Sequence, residues 1–547
     1  MDRNLEGLTG VEFDLAVIGG GVNGAATARE AALRGLKVAL VEARDFASGT
    51  SSRSSKLIHG GLRYLAQHEF RLVREARRER RLLFRLAPHL VQTLPFLMPV
   101  YQGDPYSPLK IRAGLSLYDW LGNLGREDRH RFYSPSETLR RVPALKGEKL
   151  RGGAVYHDSL TDDARLTLEY VLDAAAHGAV VANYAEIHGF SLAGGNAKVK
   201  SAAVRDHLTG RNYEVAARLW VNAAGPWVDR VRELIPRHDG SRSIRTTKGV
   251  HLIVPSVSGQ FALFGAIPWD GRIFLLMPWH GCSLLGTTDT DYEGAPEGAE
   301  PDEADVEYLL LAVNRILRAP LARQSVTASF AGLRALAPET GKAPSANTRE
   351  YRFHRDPWAA NVITVCGGKL TTARALAEKL VDLVCAELGI VGPEAGLSAA
   401  TPLPGGRMAP GAGFAGFVTT ACEEAVREFN IPLGTAERVV RTYGSRWRKA
   451  LEPVPGDRSF AQPLPGTPDL LASEVIFSIR EEMAVRVEDF LVRRSGLNWA
   501  VCAFPQATAA IAEVFGREFG WSAEKRQAAA LQSECVIHKC QKVAADS

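Results

Sequence analysis

Phe13-Asp-Leu-Ala-Val-Ile-Gly19-Gly-Gly21-Val-Asn-Gly24-Ala-Ala-Thr-Ala, running on to Lys37-Val-Ala-Leu-Val-Glu42, decides the fold. Leu15 to Ile18 is a short apolar run ending at glycine, as expected of a strand buried between layers of helix. Gly19, Gly21 and Gly24 follow as G-x-G-x-x-G, and the alanine-rich run Ala25 to Leu33 reads as a helix. Each glycine meets a separate need: the first a tight turn, the second close approach to a pyrophosphate, the third close packing of helix on strand. The pyrophosphate then sits at the helix N-terminus, where backbone N–H groups point outward. Gly35 ends the helix, Val38 to Val41 is a second buried strand, and Glu42 at its carboxyl end can accept protons from both ribose hydroxyls. Glycine is abundant, 51 residues in all, so the motif alone says little. The strand before it, the helix after it and the acid at this distance together make a dinucleotide-binding βαβ unit. That unit does not distinguish NAD from FAD.

At 547 residues the chain is long enough for two or three domains, and 46% hydrophobic with 23% charged residues is an ordinary globular composition. A net charge of +5 is small for this length, so bulk charge argues neither for nor against nucleic acid and a local patch would be needed; no nucleic-acid partner is expected. No apolar run of membrane-spanning length occurs, and the N-terminus lacks a basic segment followed by an apolar one. The seven cysteines are odd in number and scattered, which points to a reducing compartment without a disulfide framework.

Beyond Glu42 the hydroxyl cluster Ser48 to Ser55 reads as a loop opening a helix. There Thr50, Ser51 and Ser52 suit a pyrophosphate, and Lys56, His59 and Arg63 add donors for anions. Glu69 to Arg85 is an arginine-dense helix, and with Glu75 and Glu79 interleaved its basic side reads as a solvated face. Gln92 to Lys149 is proline-rich and irregular around a helix at Ile111 to Leu121, an insertion between parts of the nucleotide domain. A strand begins at Gly153, a helix spans Asp162 to His177, and strands follow at Ala179 to Tyr184, Lys198 to His207 and Arg218 to Asn222. The last enters a second glycine turn, Ala223-Ala-Gly225-Pro-Trp227. Gly249 to Pro255, Arg272 to Pro278, Cys282 to Thr290 and Ser325 to Leu333 read as further strands. The buried strand Asn361 to Cys366 runs into a third glycine turn, Gly367-Gly368-Lys369-Leu370-Thr371-Thr372, then the helix Ala373 to Leu388. A linker at about 396–412 precedes a mostly helical domain at about 413–520, with one long helix at Ser473 to Arg494, and a tail at 521–547. Glu534, Cys535, His538 and Cys540 crowd into that tail, but a tetrahedral site usually takes ligands from separated segments, and no metal is expected.

Gly19 to Gly24, Ser54-Ser-Lys56-Leu-Ile-His59-Gly-Gly-Leu-Arg63-Tyr64, Asn222 to Val228 and Gly367 to Thr372 together resemble the FAD-dependent glycerol-3-phosphate dehydrogenases, over about residues 11 to 510. The resemblance implies an α/β fold. A Rossmann-like FAD-binding domain of the amino-acid-oxidase/glutathione-reductase type (about 11–90, 150–235 and 350–395) would carry an inserted antiparallel-sheet substrate domain (about 91–149 and 240–345). It implies FAD as cofactor, held by Gly19, Gly21, Gly24, Glu42, Thr50, Ser51, Ser52, Lys56, His59, Gly225, Gly368, Lys369, Leu370 and Thr371. The implied reaction oxidises sn-glycerol 3-phosphate at C2 to dihydroxyacetone phosphate, with electrons passing from flavin to a membrane quinone. Arg334 and Arg349 match the family's phosphate arginines, Arg63 a substrate-orienting one, His251 the base, and Lys369 a cation near the flavin. Ala335 stands where the family commonly has proline. The implied setting is the cytoplasmic face of the cell membrane, held peripherally, with a homodimer as one assembly.

The same fold would serve a glycerophosphate oxidase passing electrons to oxygen, or an amine or amino-acid oxidase. An NAD-linked dehydrogenase is weakened by the Ser48 to His59 block, and a non-catalytic nucleotide-binding regulator by the intact His251, Arg334, Arg349 and Lys369.

Overall fold

The computed structural model describes residues 1–61, 69–105, 107–122, 129–193, 198–338, 350–390, 395–408, 413–467, 469–497, 499–500 and 506–545, without side chains for 121–122 and 538–545. Two sheets organise it. The first runs Arg352–Asp356, Ala359–Cys366, Asn212–Asn222, Glu12–Ile18, Val38–Val41, Val180–Ala182, parallel throughout except for its first pair. Val17 stands beside Val221 on one side and Leu40 on the other, so the central strand is apolar toward both faces, as a doubly covered sheet requires. On one face Leu15, Val17, Leu219 and Ile363 pack against Ala25 and Ala28 of the helix Val22–Leu33, Leu166 and Tyr170 of Asp163–Ala176, and Leu376 and Leu380 of Ala373–Leu388. The other face buries Ala16, Ile18 and Trp220 with Phe190 and Val204 of an antiparallel meander.

The second sheet is the inserted unit: Thr290–Asp291, Arg245–Pro255, Cys282–Gly286, Ile273–Trp279, Ala262–Ala266, Gln92–Tyr101, Leu150–Leu160, Leu57–Ile58, with Ala328–Leu336 also paired to Arg245–Pro255. Gln92–Tyr101, expected as irregular, is thus a ten-residue strand despite Pro95 and Pro99. Its neighbour Ala262–Ala266 touches it only at Phe96 and Leu97, so the missing proline N–H groups break no ladder on that side. Residues 150–160, expected in the nucleotide part, belong to this second sheet, and the nucleotide part resumes with the helix Asp163–Ala176.

The helix expected from Ser473 to Arg494 is two pieces. Ala472–Glu482 ends where Met483 takes φ 52°, and a wider π turn follows at Asp489–Arg494. The break serves charge: the Asp489 carboxylate accepts from the Val485 and Arg486 amides at 3.0 and 2.9 Å and from the Tyr184 hydroxyl at 2.7 Å. Arg493 and Arg494 reach Asp45, just beyond the strand Val38–Val41, with Arg494 Nη2 donating to Asp45 Oδ1 at 2.8 Å. Burial raises the Asp45 carboxyl's pKa, and the two guanidiniums more than offset that, holding it below the usual carboxylate range. The segment expected as a tail is instead the helix Ala523–Ala545, which buries Ala530 and Ile537. Cys282, Cys366, Cys385, Cys422 and Cys535 are unpaired thiols. Among the described residues no helix is long and apolar enough to cross a membrane, and no cluster suits a metal ion.

Candidate active site

The three glycine turns converge on one cavity of about 630 Å³ between the two sheets. Gly19 takes φ +103°, and a Cβ there would stand 2.8 Å from the Ala223 carbonyl oxygen, so the first and second turns touch backbone to backbone. At Gly24 a Cβ would stand 1.9 Å from the Gly19 carbonyl oxygen, which fixes how closely the helix Val22–Leu33 approaches its strand. The third turn joins them, with Asn23 Nδ2 donating to the Gly367 carbonyl at 3.1 Å and Gly368 at φ +99° leaving no room for a side chain beside Asn23. Gly19, Gly21, Glu42, Thr50, Ser51, His59, Gly225, Gly368, Lys369, Leu370 and Thr371 all line this cavity.

The turns fit a dinucleotide with an acid-bound ribose. Glu42 is half-buried, with one oxygen accepting from the Gly20 amide at 2.6 Å and the other from the Arg44 amide at 2.8 Å, which leaves lone pairs on both. Burial pushes its carboxyl above the usual range against the pull of those amides. The Ser51 hydroxyl accepts from the Val22 amide at 2.9 Å, at the helix N-terminus, and the Thr50 hydroxyl donates to the Leu333 carbonyl at 2.6 Å across to the second sheet.

Three expected cofactor residues stand elsewhere. Gly24 does not line the cavity; its part is the packing just described. Ser52 is fully buried off the cavity, its hydroxyl 3.4 Å from the Gly49 carbonyl. Lys56 is fully buried, donating to Ser52 O at 2.5 Å and to Asp163 at 2.7 and 2.9 Å. A cation without water needs a buried carboxylate, so this lysine ties the loop to the helix Asp163–Ala176 instead of meeting a phosphate. Arg63 and Arg349 lie outside the described residues.

The opposite wall comes from the second sheet. His251 lies on Arg245–Pro255 opposite Gly286, where a Cβ would strike the imidazole at 2.3 Å, and its Nε2 is 2.9 Å from the Ser55 hydroxyl. Burial first, then the nearby Arg334 and Lys56 charges, lower its pKa well below the usual histidine value, so the ring is neutral near pH 7. Arg334 and Ala335 both lie within the strand Ala328–Leu336, with Arg334 beside Thr247 and Ala335 beside Thr246. Its guanidinium fills the space above Gly249 and donates to Asp289 at 3.1 Å, to the Thr287 hydroxyl at 3.2 Å and to the Thr288 carbonyl at 3.3 Å. Thr287, Thr288 and Asp289 belong to a Gly-Thr-Thr-Asp-Thr run given no role from sequence; a short polar run ending a strand was the only signal.

Sequence reasoning also missed a stack that joins the C-terminal domain to this wall. The His251 ring lies on Phe330 at 5.1 Å and 17°, Phe330 on Trp499 at 5.6 Å and 21°, and the Arg53 guanidinium over Trp499 at 5.1 Å. Trp499 Nε1 donates to the Ser52 carbonyl at 2.8 Å.

The family model for FAD dependent oxidoreductases matches residues 14–383, and the model for the C-terminal domain of alpha-glycerophosphate oxidase matches 397–526. The chain is 36% identical over 512 residues, 91% of its length and 90% of the relative's, to the aerobic glycerol-3-phosphate dehydrogenase of Bacillus subtilis. The chain belongs to the FAD-dependent glycerol-3-phosphate dehydrogenase family. Another member, from Staphylococcus haemolyticus, is 35% identical over 89% of this chain and 87% of its own. The crystal structure of the Bacillus halodurans glycerol-3-phosphate dehydrogenase complexed with FAD superposes with a TM-score of 0.78 at 30% identity, covering 98% of this chain and 96% of that one. The L-alpha-glycerophosphate oxidase of Mycoplasma pneumoniae, at 20% identity and a TM-score of 0.53, shares the fold. FAD is therefore the cofactor of this family member, and the three turns with Glu42 are the residues that would hold it.

Two outcomes follow. Gly24→Ala forces the helix off Gly19, so the purified protein is expected to lose most of its flavin absorbance, with overpacking costing about 1–3 kcal/mol of stability; a fully yellow variant would contradict the packing argument. Trp499→Ala opens the far end of the stack to water and should move the His251 titration up toward the ordinary histidine value, whereas Trp499→Phe should leave it low. Histidine NMR titration measures both, and equal values in the two variants would contradict the desolvation account.

Proposed function

We propose that this protein oxidises sn-glycerol 3-phosphate at C2 to dihydroxyacetone phosphate and delivers the electrons to a membrane quinone, held peripherally at the inner face of the cell membrane. The observation that carries this reading is the pairing of a braced arginine, Arg334, with a neutral, desolvated histidine, His251, on the wall that faces the flavin turns. A phosphate dianion calls for a planar, bidentate cation, and a secondary alcohol calls for a base that is unprotonated near pH 7.

Bound FAD supplies the acceptor for the C2 hydride. The chain's residues do the rest. Arg334 binds the phosphate and so sets the distance from phosphate to the reacting carbon, while Asp289 and Thr287 keep its fork in one orientation. His251 takes the C2 hydroxyl proton, its ring held by Ser55 and by the Phe330 face. Lys369, with its ammonium buried at the third turn, stabilises negative charge that develops in the cavity. Arg63 and Arg349 are assigned to orienting the substrate and to the phosphate on the sequence resemblance. The match of residues 397–526 to a domain named for glycerophosphate oxidase supports a second reading, in which oxygen is the acceptor.

Anaerobic addition of glycerol 3-phosphate to the yellow protein is expected to bleach the flavin bands, and reoxidation should be fast with a soluble quinone and slow with oxygen. A flavin that stays oxidised would sink the substrate, and fast reoxidation by oxygen alone would favour the oxidase. Arg334→Gln should weaken glycerol 3-phosphate binding by about 10–100-fold, the worth of a lost charge-assisted contact, and leave binding of unphosphorylated glycerol unchanged.

The pH dependence follows from the lowered histidine pKa. The base is needed unprotonated, so a pKa below the usual value keeps it competent as pH falls through about 6.5. Flavin reduction at saturating substrate should be flat from about pH 8 to 6.5; a limb centred above 6.5 would contradict His251 as the base.

A further inference from the structure

The helix Phe70–Leu86 does not present the mixed solvated face its composition suggests. Arg77, Glu79 and Arg80 are buried: Arg80 Nε donates to the Ser159 hydroxyl at 2.8 Å, and Glu79 holds Arg374 through two bonds of 2.7 Å. What remains exposed at spacings of three and four is Arg71, Arg74, Arg78, Arg81 and Arg85, a stripe of a single sign along one face. Among the described residues Arg71, Arg74, Arg78 and Arg85 form no ion pair. Like charges stacked at this spacing repel one another and weaken the helix, so the arrangement is costly unless an anionic surface compensates it.

The helix packed against it, Pro108–Gly122, carries the complementary feature. Arg77 locks the two together, its guanidinium 4.1 Å from the centre of the Tyr118 ring and its Nη1 donating to the Tyr118 carbonyl at 2.9 Å. Leu115, Tyr118 and Asp119 turn inward, and Tyr118 reaches Asp158 on the cavity wall at 3.1 Å. Outward, Leu109 is 78% exposed, Trp120 74% and Leu117 37%, with Ala113 between them. At about 100° per residue these four fall within one arc of about 80°. Lys110 and Arg112 border that arc on its two edges.

We infer that these two helices form the surface that docks on an anionic phospholipid bilayer, with Leu109, Leu117 and Trp120 entering the headgroup boundary and the arginine stripe lying over lipid phosphates. Apolar residues bordered by cations, with a tryptophan among them, suit an interface of acyl chains and anionic headgroups. A second copy related by a twofold axis would set arginine stripe against arginine stripe. A nucleic acid would leave the leucines and Trp120 without a partner. This inference rests on the peripheral-membrane reading above and says which face carries it; through Tyr118 and Asp158 that face is continuous with the wall of the flavin cavity.

Vesicle flotation of the flavin-loaded full chain tests it, comparing phosphatidylglycerol-rich with pure phosphatidylcholine vesicles. Wild type should float with the anionic vesicles and be released by salt. Leu109→Ser/Leu117→Ser/Trp120→Ser together should lower partitioning at least tenfold, and Arg71→Gln/Arg74→Gln/Arg78→Gln about a hundredfold, taking roughly fivefold per arginine near an anionic surface. Both variants should keep the flavin spectrum and anaerobic bleaching, since the altered side chains face solvent. Wild-type binding that both variants retain would overturn this surface while leaving the peripheral reading intact. No wild-type binding to any vesicle would overturn the peripheral reading and this one with it. Variants that dissociate a wild-type dimer without changing vesicle binding would assign the face to a second copy, and binding to duplex DNA in preference to vesicles would assign it to nucleic acid.

Discussion

The contact between Gly24 and the Gly19 carbonyl is the constraint on which the rest of the molecule depends. It sets how near the helix Val22–Leu33 lies to the strand Glu12–Ile18, and therefore where that helix's N-terminal amides point. The other two glycine turns are placed relative to that point, one by contact with Ala223 and the other by the bond from Asn23 to Gly367. A methyl group at position 24 would spread all three. The cavity is thus built by close approach of backbone, and the side chains around it adapt to that.

A second level of organisation is ionic and aromatic. Asp45 lies just beyond Glu42 of the cavity lining, and its partners Arg493 and Arg494 come from the C-terminal domain. Buried pairs of this kind contribute little net stability, yet breaking one is severe because a charge is left without water or a partner. They specify which surfaces meet. The same domain sends Trp499 under Phe330, and so under His251. The C-terminal domain in this way backs the cavity wall that carries His251.

The βαβ unit was legible because its signal is local: the apolar strands at Leu15 and Val38, the helix between them and the acid at 42 each follow from near neighbours in sequence. The third turn was legible in the same local way, from its strand, glycines and following helix, whereas His251, Arg334, Arg63 and Arg349 were singled out only through the resemblance. Lys56 was misread because a lysine beside a hydroxyl-rich loop looks like a phosphate ligand, whereas its partner Asp163 is 107 residues away and invisible to local reading. Gln92–Tyr101 was missed because proline is judged against a full ladder, and here the ladder on one side spans two residues. The basic side of the arginine helix is exposed as expected, but Glu79 does not share it, because the distant Arg374 holds that acid in the interior. The break at Met483 likewise follows from long-range charge that helical periodicity cannot register.

A crystal structure of the FAD-loaded protein with bound glycerol 3-phosphate or an unreactive analogue tests the proposed roles of Arg334 and His251 most directly. The phosphate is expected in bidentate contact with the Arg334 guanidinium and the C2 oxygen within hydrogen-bond distance of His251. A phosphate bound away from Arg334, or a C2 oxygen facing a group other than His251, would contradict those roles.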